Sequence, residues 1–423
     1  MNAGTTMTRD WVTGEARALL ARVNRARPLI IQESMTLAAA ANPRTHRAIE
    51  LSVRHDRRRV KAELHRLLQW ITSAHALEAT GAEMQERLTR ARMQFNDALS
   101  NLDLFSDALS QRSERDSGLW LAGLDVVAED VLAMPGYYEA PPVLCYLDRG
   151  PGAAIRRART RLPGGGQNPV ALIQIPRERM TGSGVAASLA HESGHQAAAL
   201  LQLVESLRAE LQRVQATSHD GAWRLWDRWI AEIVADLWAV ARLGPTATMG
   251  LIGVLSLPAY FVYRISGSDP HPPPWLRVRL SAAIGHALYP DAQWSQLDRL
   301  WQELYPLERA SAAQQMSLQQ LAVSVDELCE RLVNHRCSAL APIPLGEAIS
   351  IADRAPARLR AEVGRPGWIG RLTAATPSRA LAIVGQARWS RAITPDNERR
   401  TVSNLLATWA IRRTLRRGDT STN

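Results

Sequence analysis

The sequence contains few cysteines and no long apolar run. Its three cysteines, Cys145, Cys329 and Cys337, have no paired metal-binding spacing and form no disulfide framework, which favours a reducing compartment. The N-terminal residues lack the apolar segment of a signal peptide. The most apolar stretch, 249–265, contains Pro258 and is shorter than the roughly 20 apolar residues that a membrane span needs. We therefore expect a cytoplasmic protein with a buried helix and a turn in that stretch.

Lysine is almost absent, since Lys61 is the only lysine among the 51 basic residues. An arginine bias this uniform is more typical of genome composition than of a nucleic-acid surface. The net charge of +10 is unevenly spread, because residues 311–423 hold 16 arginines against 9 carboxylates. A basic patch there would suit an acidic partner, nucleic acid or a membrane surface, while a solvated basic face is the simpler interpretation.

The length of 423 residues, 46% of them hydrophobic, predicts two or three structural units. We divide the chain into an N-terminal helical region (1–134), a central domain (135–310) and a basic, helical C-terminal region (311–423). In the first region, two helices carry apolar residues at steps of three and four and would pack as a hairpin that turns near Gly81. The predicted fold class is α+β, mostly helical with a small sheet.

The central domain begins with two predicted strands, because short apolar runs at 142–147 and 170–175 are bounded by proline and glycine. Between them, the basic segment 156–166 ends in three glycines and would either cover a cleft or be mobile. A long, mostly buried helix should begin near Gly184, with an apolar face that continues to Leu211.

That helix carries His-Glu-x-x-His at residues 191–195. His191 and His195 lie four residues apart, so they share a helical face and can bind one metal ion, while Glu192 reaches a water on that ion. Two imidazoles, a carboxylate and a water are typical of a catalytic zinc site, which predicts Zn²⁺. The alternative is a surface helix with two solvated histidines. The apolar surroundings oppose that alternative, since unpartnered buried histidines are costly.

The next predicted helix supplies a third ligand and ends at Gly244-Pro245. Glu232 and Asp236 are four residues apart on it, among aromatic and aliphatic residues. A carboxylate there is unfavourable unless a metal neutralises it, so we assign Glu232 as the third ligand. Asp236, one turn further, can accept the outer N–H of a ligating histidine. The tryptophans of this helix are spaced as core residues rather than as a binding platform: Trp223, Trp226 and Trp229.

A proline-rich segment follows, in which His271 is flanked by Pro270 and Pro272 and precedes Arg277 by six residues. His-Glu-x-x-His, then Glu-x-x-Ala-Asp, then His-Pro with this arginine, is the motif order of gluzincin metallopeptidases. Over roughly residues 140–290, the chain resembles the CAAX prenyl endopeptidase family and the related stress and periplasmic metalloproteases. The membrane helices of that family's membrane members are absent here, and the N- and C-terminal regions have no counterpart in it.

The resemblance implies a zincin-like core, and it also implies a role for each motif residue of this sequence. His191, His195 and Glu232 would bind zinc, Glu192 would be the general base, and Asp236 would support a ligand. His271 and Arg277 would assist at the transition state and at the site carboxylates. The expected activity is therefore zinc-dependent endopeptidase hydrolysis of a protein or peptide substrate, with His271 donating to the oxyanion. We further expect strand 170–175 to be a sheet edge that pairs with extended substrate, with Gln174 facing the cleft.

Two other functions are compatible with the sequence. One is a pseudo-enzyme or scaffold that keeps zinc for structure. The other is a binder of nucleic acid or membrane surface through arginines that end a helix begun by Thr394-Pro395: Arg412, Arg413, Arg416 and Arg417. Basic residues at a helix C-terminus also complement the helix dipole, which explains them without a ligand. The N- or C-terminal helical region could in addition cover or present the cleft, or meet a regulatory partner.

Overall fold

The computed structural model describes residues 3–25, 35–148, 152–177, 182–218 and 221–420. The chain is mostly helical with one small sheet, which confirms that part of the predicted fold class. The strands are β1 (Val143–Asp148), β2 (Ala154–Arg156) and β3 (Ala171–Pro176). The helices in these ranges are α1 (Ala3–Arg25), α2 (Pro43–Ile71), α3 (His75–Glu78), α4 (Gly81–Ser110), α5 (Arg115–Leu132), α6 (Gly184–Leu200), α7 (Leu203–Thr217), α8 (Ala222–Leu243), α9 (Pro245–Leu255), α10 (Ala259–Val262), α11 (Pro274–Leu288), α12 (Ala292–Leu304), α13 (Ala312–Val323), α14 (Val325–Asn334), α15 (Leu345–Ile349), α16 (Pro356–Val363), α17 (Trp368–Arg371), α18 (Pro377–Trp389) and α19 (Pro395–Thr420).

The predicted helix pair is α2 and α4, and α1 packs with it. The three helices bury one apolar cluster, so α1 completes a bundle that the sequence did not predict: Val12, Ala16, Leu19, Val23, Val60, Leu64, Leu67, Ile71, Met84, Leu88 and Ala91. A capping box begins α4 beside Gly81. The Thr80 hydroxyl accepts from the Glu83 N–H, and the Glu83 carboxylate accepts from the Thr80 N–H.

The sheet has the order β1-β3-β2, with β1 parallel and β2 antiparallel to β3. Both predicted strands are present, but β3 is the central strand, so the prediction that 170–175 forms an edge is wrong. The sequence missed β2, which is too short and too exposed to show an apolar pattern and which occupies one edge. Gln174 accepts from the Tyr146 hydroxyl at 3.3 Å, on the face that packs against the N-terminal helices, so it does not face the cleft.

The two faces of the sheet contact different parts of the chain. Leu144 and Leu172 pack against α2 and α4, while Cys145 and Ile173 belong to the main core with α5, α6 and α8. That main core continues without a break to Trp409 in α19. The division into 1–134, 135–310 and 311–423 stays a prediction.

The glycine end of segment 156–166 packs against the N-terminal helices, and no residue of the segment lines the cavity described below. Gly164, with φ +75°, lies against Arg59 of α2 and Asp97 of α4, and Arg59 donates a hydrogen bond to the Gly164 carbonyl. The Arg159 N–H of this segment donates to the carbonyl of Asn168, which follows the segment, at 2.8 Å. Glycine is required at 164 because its backbone is left-handed there and a side chain would meet Arg59.

The helix that begins at Gly184 is shorter than predicted. It ends at Leu200, Gln202 takes a left-handed conformation with φ +54°, and α7 continues the apolar face to Leu211. Farther along, the apolar stretch 249–265 is divided between α9 and α10. Among the described residues, we find no helix with both the length and the apolar character required to cross a bilayer.

The C-terminal helix α19 begins at Pro395 as predicted, and its buried face includes Val402, Leu406 and Trp409. Two of its candidate binding arginines are engaged with this chain. Arg413 donates to the Ala40 carbonyl and lies 3.7 Å from the buried Asp125 carboxylate, and Arg412 donates to the Thr373 carbonyl. Arg416 is exposed, and the side chain of Arg417 lies outside the described residues. These contacts reduce the basic surface that α19 offers to nucleic acid or a membrane.

Candidate metal centre

Two helices, α6 and α8, bring the predicted ligands together at the point where Gly194 meets α8. A Cβ on Gly194 would lie 2.9 Å from the Ala235 Cα, the Ala235 carbonyl oxygen and the Trp238 Cβ. Cβ atoms do not approach other heavy atoms this closely in folded proteins. The glycine inside the motif therefore fixes the distance between the helix that carries His191 and His195 and the helix that carries Glu232.

We expect Gly194→Ala to destabilise the fold and to weaken metal binding. Alanine gains about 1 kcal/mol of helix propensity over glycine, but overpacking against backbone costs about 1–3 kcal/mol. Because backbone atoms cannot rotate away, α6 and α8 must separate. Chemical denaturation and zinc competition titrations measure the two effects. Gly253→Ala in α9 is the matched control, since its Cβ would meet nothing within 4 Å; equal behaviour of the two variants would contradict the prediction.

The three predicted ligands form one cluster. A donor atom from each of His191, His195 and Glu232 lies within 4.8 Å of the others. His191 Nε2 is 3.2 Å from Glu232 Oε2, and His195 Nε2 is 3.5 Å from Glu232 Oε1. The side chains are only 14%, 19% and 12% exposed, so they are not solvated surface groups. This donor set, two imidazoles and one carboxylate, fits a divalent metal such as zinc.

Asp236 determines which nitrogen of His191 faces the cluster. Its Oδ1 lies 2.8 Å from His191 Nδ1, and because an ionised carboxylate only accepts, Nδ1 must donate. Arg277 donates to the same carboxylate through Nε at 2.6 Å and Nη2 at 2.9 Å. Arg277 is also 3.9 Å from Glu232 Oε2. The buried Arg277 and Asp236 therefore fix the His191 ring with Nε2 toward Glu232.

The electrostatics of the cluster favour a positive charge among the donors. Burial by itself would lower the pKa of His191, but the Asp236 carboxylate and the hydrogen bonds from Asp236 and Glu232 raise it to about 9. Burial opposes ionisation of Glu232, yet hydrogen bonds from His191, His195 and His271 hold its pKa well below the usual range. Because His191 Nδ1 already donates to Asp236, the 3.2 Å contact between His191 Nε2 and Glu232 Oε2 needs either a second proton on the ring or a metal ion. A bound metal would displace that proton.

Glu192 lines a cavity of about 140 Å³, and His191 of the cluster lines the same cavity. Burial raises the pKa of Glu192, against the opposing effect of His191 and His195. A raised pKa suits a carboxylate that takes a proton near neutral pH. Part of the wall of this cavity is apolar and is formed by Ala187, Ala239, Ala247, Leu251 and Val254.

His271 lies at the same cavity, in the segment between α10 and α11. Its Nε2 is 3.1 Å from Glu232 Oε2, and its Nδ1 is 2.8 Å from the Asp269 Oδ1. The hydrogen bond with Glu232 is the main cause that raises the pKa of His271, with burial opposing it. The structure thus brings together all seven predicted site residues. It adds Asp269, which sequence analysis missed although it stands two residues before His271.

Residues outside the motifs support α6, the helix that carries His191 and His195. Ser183, which precedes α6, donates to the buried Glu398 of α19 through its N–H at 2.8 Å and its hydroxyl at 2.6 Å. Gln196, beside His195, accepts from the Ala158 N–H at 2.7 Å and so ties the chain after β2 to α6. Every lining residue in the described part of the cavity lies between 152 and 281. The C-terminal region therefore supports α6, and neither terminal region forms the described cavity wall.

Compared with known proteins, the chain matches no family model, no curated protein and no solved structure. The assignment of a function consequently depends on the geometry and chemistry of the site.

Proposed function

We propose that this protein is a zinc-dependent metalloendopeptidase with a zincin-like core. One observation carries the proposal: the donor atoms of His191, His195 and Glu232 converge within 4.8 Å while Glu192 lines the cavity beside them. A zinc site that serves only structure is typically closed by four protein ligands, whereas three ligands beside a cavity leave a position for water and substrate.

The site residues have separate tasks in this mechanism. When bound, zinc lowers the pKa of a coordinated water and polarises the substrate carbonyl. Glu192 accepts the proton of the attacking water and can return it to the leaving amine. His271, with a proton on both ring nitrogens, donates from Nε2 to the oxygen of the former carbonyl, on which negative charge develops. Arg277 and Asp236 hold His191 in its ligating orientation.

The substrate is an extended peptide segment that pairs with β2. This strand occupies the sheet edge, and Gly152 and Ala153, which line the cavity, come directly before it. An exposed edge offers backbone groups to a further strand. The apolar part of the cavity wall then receives an apolar side chain near the cleaved bond, because Leu251 and Val254 supply its larger side chains. The neighbouring Ser281 is already paired with Thr248 at 2.7 Å.

We expect Leu251→Ala to change which peptides are cleaved. A shorter side chain at this wall leaves a leucine of the substrate with fewer contacts, so kcat/KM for that peptide falls by about tenfold, the effect of one or two lost methylenes. Larger side chains such as phenylalanine should be cleaved relatively better. A peptide library with one varied residue next to the scissile bond measures both effects. Ile252→Ala, on the same helix but outside the cavity lining, is the control and should keep the original preference.

The proposed activity is tested by comparing protein termini in cells that express wild type or Glu192→Gln. New N-termini that occur only with the wild type would support it and would name the substrates. Identical termini in both would favour a pseudo-enzyme or scaffold that keeps the metal.

We place this activity in a reducing, cytoplasmic environment, because all three cysteines are free and buried. A regulatory partner would then meet the N- or C-terminal helical region.

A further inference from the structure

We propose that Asp269 is a positioning residue that aims His271 at the developing oxyanion. The inference depends on the proposed peptidase function and adds to it a residue outside the motifs. Asp269 is two residues before His271, and its Oδ1 accepts two hydrogen bonds from that single residue. One comes from the His271 N–H at 3.0 Å and the other from the ring Nδ1 at 2.8 Å.

This double contact fixes the ring relative to its own backbone. One oxygen bound to both the N–H and Nδ1 restricts rotation about both side-chain bonds of His271. The Asp269 carboxylate only accepts, so Nδ1 is a donor. Nε2 faces a second acceptor, the Glu232 carboxylate, so the ring carries a proton on both nitrogens and Nε2 can donate. Nε2 lies 3.1 Å from Glu232 Oε2, beside the metal donors and on the cavity wall. The geometry thus places the Nε2–H at the cavity that contains Glu192, where a substrate oxygen can accept from it.

The backbone around the pair is held at both ends. Before it, Arg228 of α8 donates a hydrogen bond to the Gly267 carbonyl. After it, Pro273 and Pro274 begin α11, which also carries Arg277. Prolines have a fixed φ, so the segment enters α11 in one conformation. The His271 side chain is nevertheless 44% exposed, which means that packing alone does not hold the ring. Asp269 supplies the missing restraint.

Kinetics of Asp269→Ala and Asp269→Asn in the full-length, zinc-loaded protein test this role. An unrestrained ring is misaligned in most molecules, so Asp269→Ala should lower kcat about tenfold, as loss of an orienting partner commonly does, with KM changed less than about twofold. Asp269→Asn keeps an oxygen acceptor and should retain most of the activity. In a His271→Ala background, Asp269→Ala should have no further effect. Ser268→Ala, one residue away, is the control and should behave as wild type.

A structural readout is independent of activity. In crystals of the Asp269→Ala variant, the His271 ring should leave the position with Nε2 near Glu232, and in Asp269→Asn it should stay. Two results for Asp269→Ala would each overturn the inference: a His271 ring that has not moved, or a kcat equal to that of the wild type. It would also be overturned if Asp269→Ala lowered kcat as much in the His271→Ala background as in the wild type. A wild-type protein that cleaves no peptide would overturn the peptidase function itself, which separates the two failures.

Discussion

Glu192→Gln is expected to abolish peptide cleavage and leave the metal in place. Glutamine has nearly the same shape as glutamate but cannot accept a proton, and loss of a general base lowers kcat by about 10²- to 10⁴-fold. Glu192 does not belong to the His191, His195 and Glu232 donor cluster, so zinc content should stay equal to that of the wild type. Cleavage of a quenched fluorescent peptide, with zinc quantified in the same preparation by mass spectrometry, measures both results.

The control for Glu192→Gln is a buried carboxylate with a structural role. Glu398 is equally buried, but it bonds Ser183 and faces Arg388 rather than the cavity. Glu398→Gln should keep an acceptor for Ser183 and lose little activity. If Glu192→Gln cleaved as fast as the wild type, the general-base mechanism would be wrong. If both variants lost activity equally, disturbance of α6 rather than loss of a base would explain the result.

Replacement of a ligand has the second large expected effect. His195→Ala and Glu232→Ala each remove one of three donors, and zinc content should fall from one ion per chain to almost none. In the wild type, free zinc at 100 times its Kd should raise the free energy of unfolding by about 2.7 kcal/mol, because the ion binds the folded state. Neither variant should show this increase. Asp236→Asn should instead weaken zinc binding by about 10- to 100-fold, since it only supports His191.

The matched control for these variants is His286→Ala, which removes an exposed histidine of α11. It should bind zinc as the wild type does. Zinc-dependent stabilisation that survived in Glu232→Ala would contradict the assignment of the third ligand. A wild-type protein that purified without zinc and gained no stability from it would contradict the metal site as a whole.

Much of the site could be predicted from sequence because its residues lie on helices. Four-residue spacing on a helix places His191 with His195 and Glu232 with Asp236, whatever the rest of the chain does. The same periodicity predicted that Trp226 and Trp229 are core residues, and both are fully buried. The start of α19 was predicted by Thr394-Pro395, because proline is favoured at the first positions of a helix.

Sheet order could not be predicted in the same way. An apolar run identifies β3 as a strand, but pairing partners are distant in sequence and β2 is only three residues long. Whether a strand is central or at an edge depends on which other strands pair with it. Because β2 pairs with β3, β3 is central, and the strand proposed to pair with substrate is β2 rather than β3. The contact of Glu398 with Ser183 spans 215 residues and has no local signal either.

By itself, the sequence determined the composition of the candidate site, because local helical geometry fixes which side chains share a face. Only the tertiary structure decided that the two faces meet. Gly194 packs directly on Ala235, which lets the histidines of α6 approach Glu232 of α8. Tertiary structure also joined Arg277 to Asp236 and Asp269 to His271 as restraints on the site. Distances between separate elements depend on packing throughout the core, and no spacing within the motif encodes them.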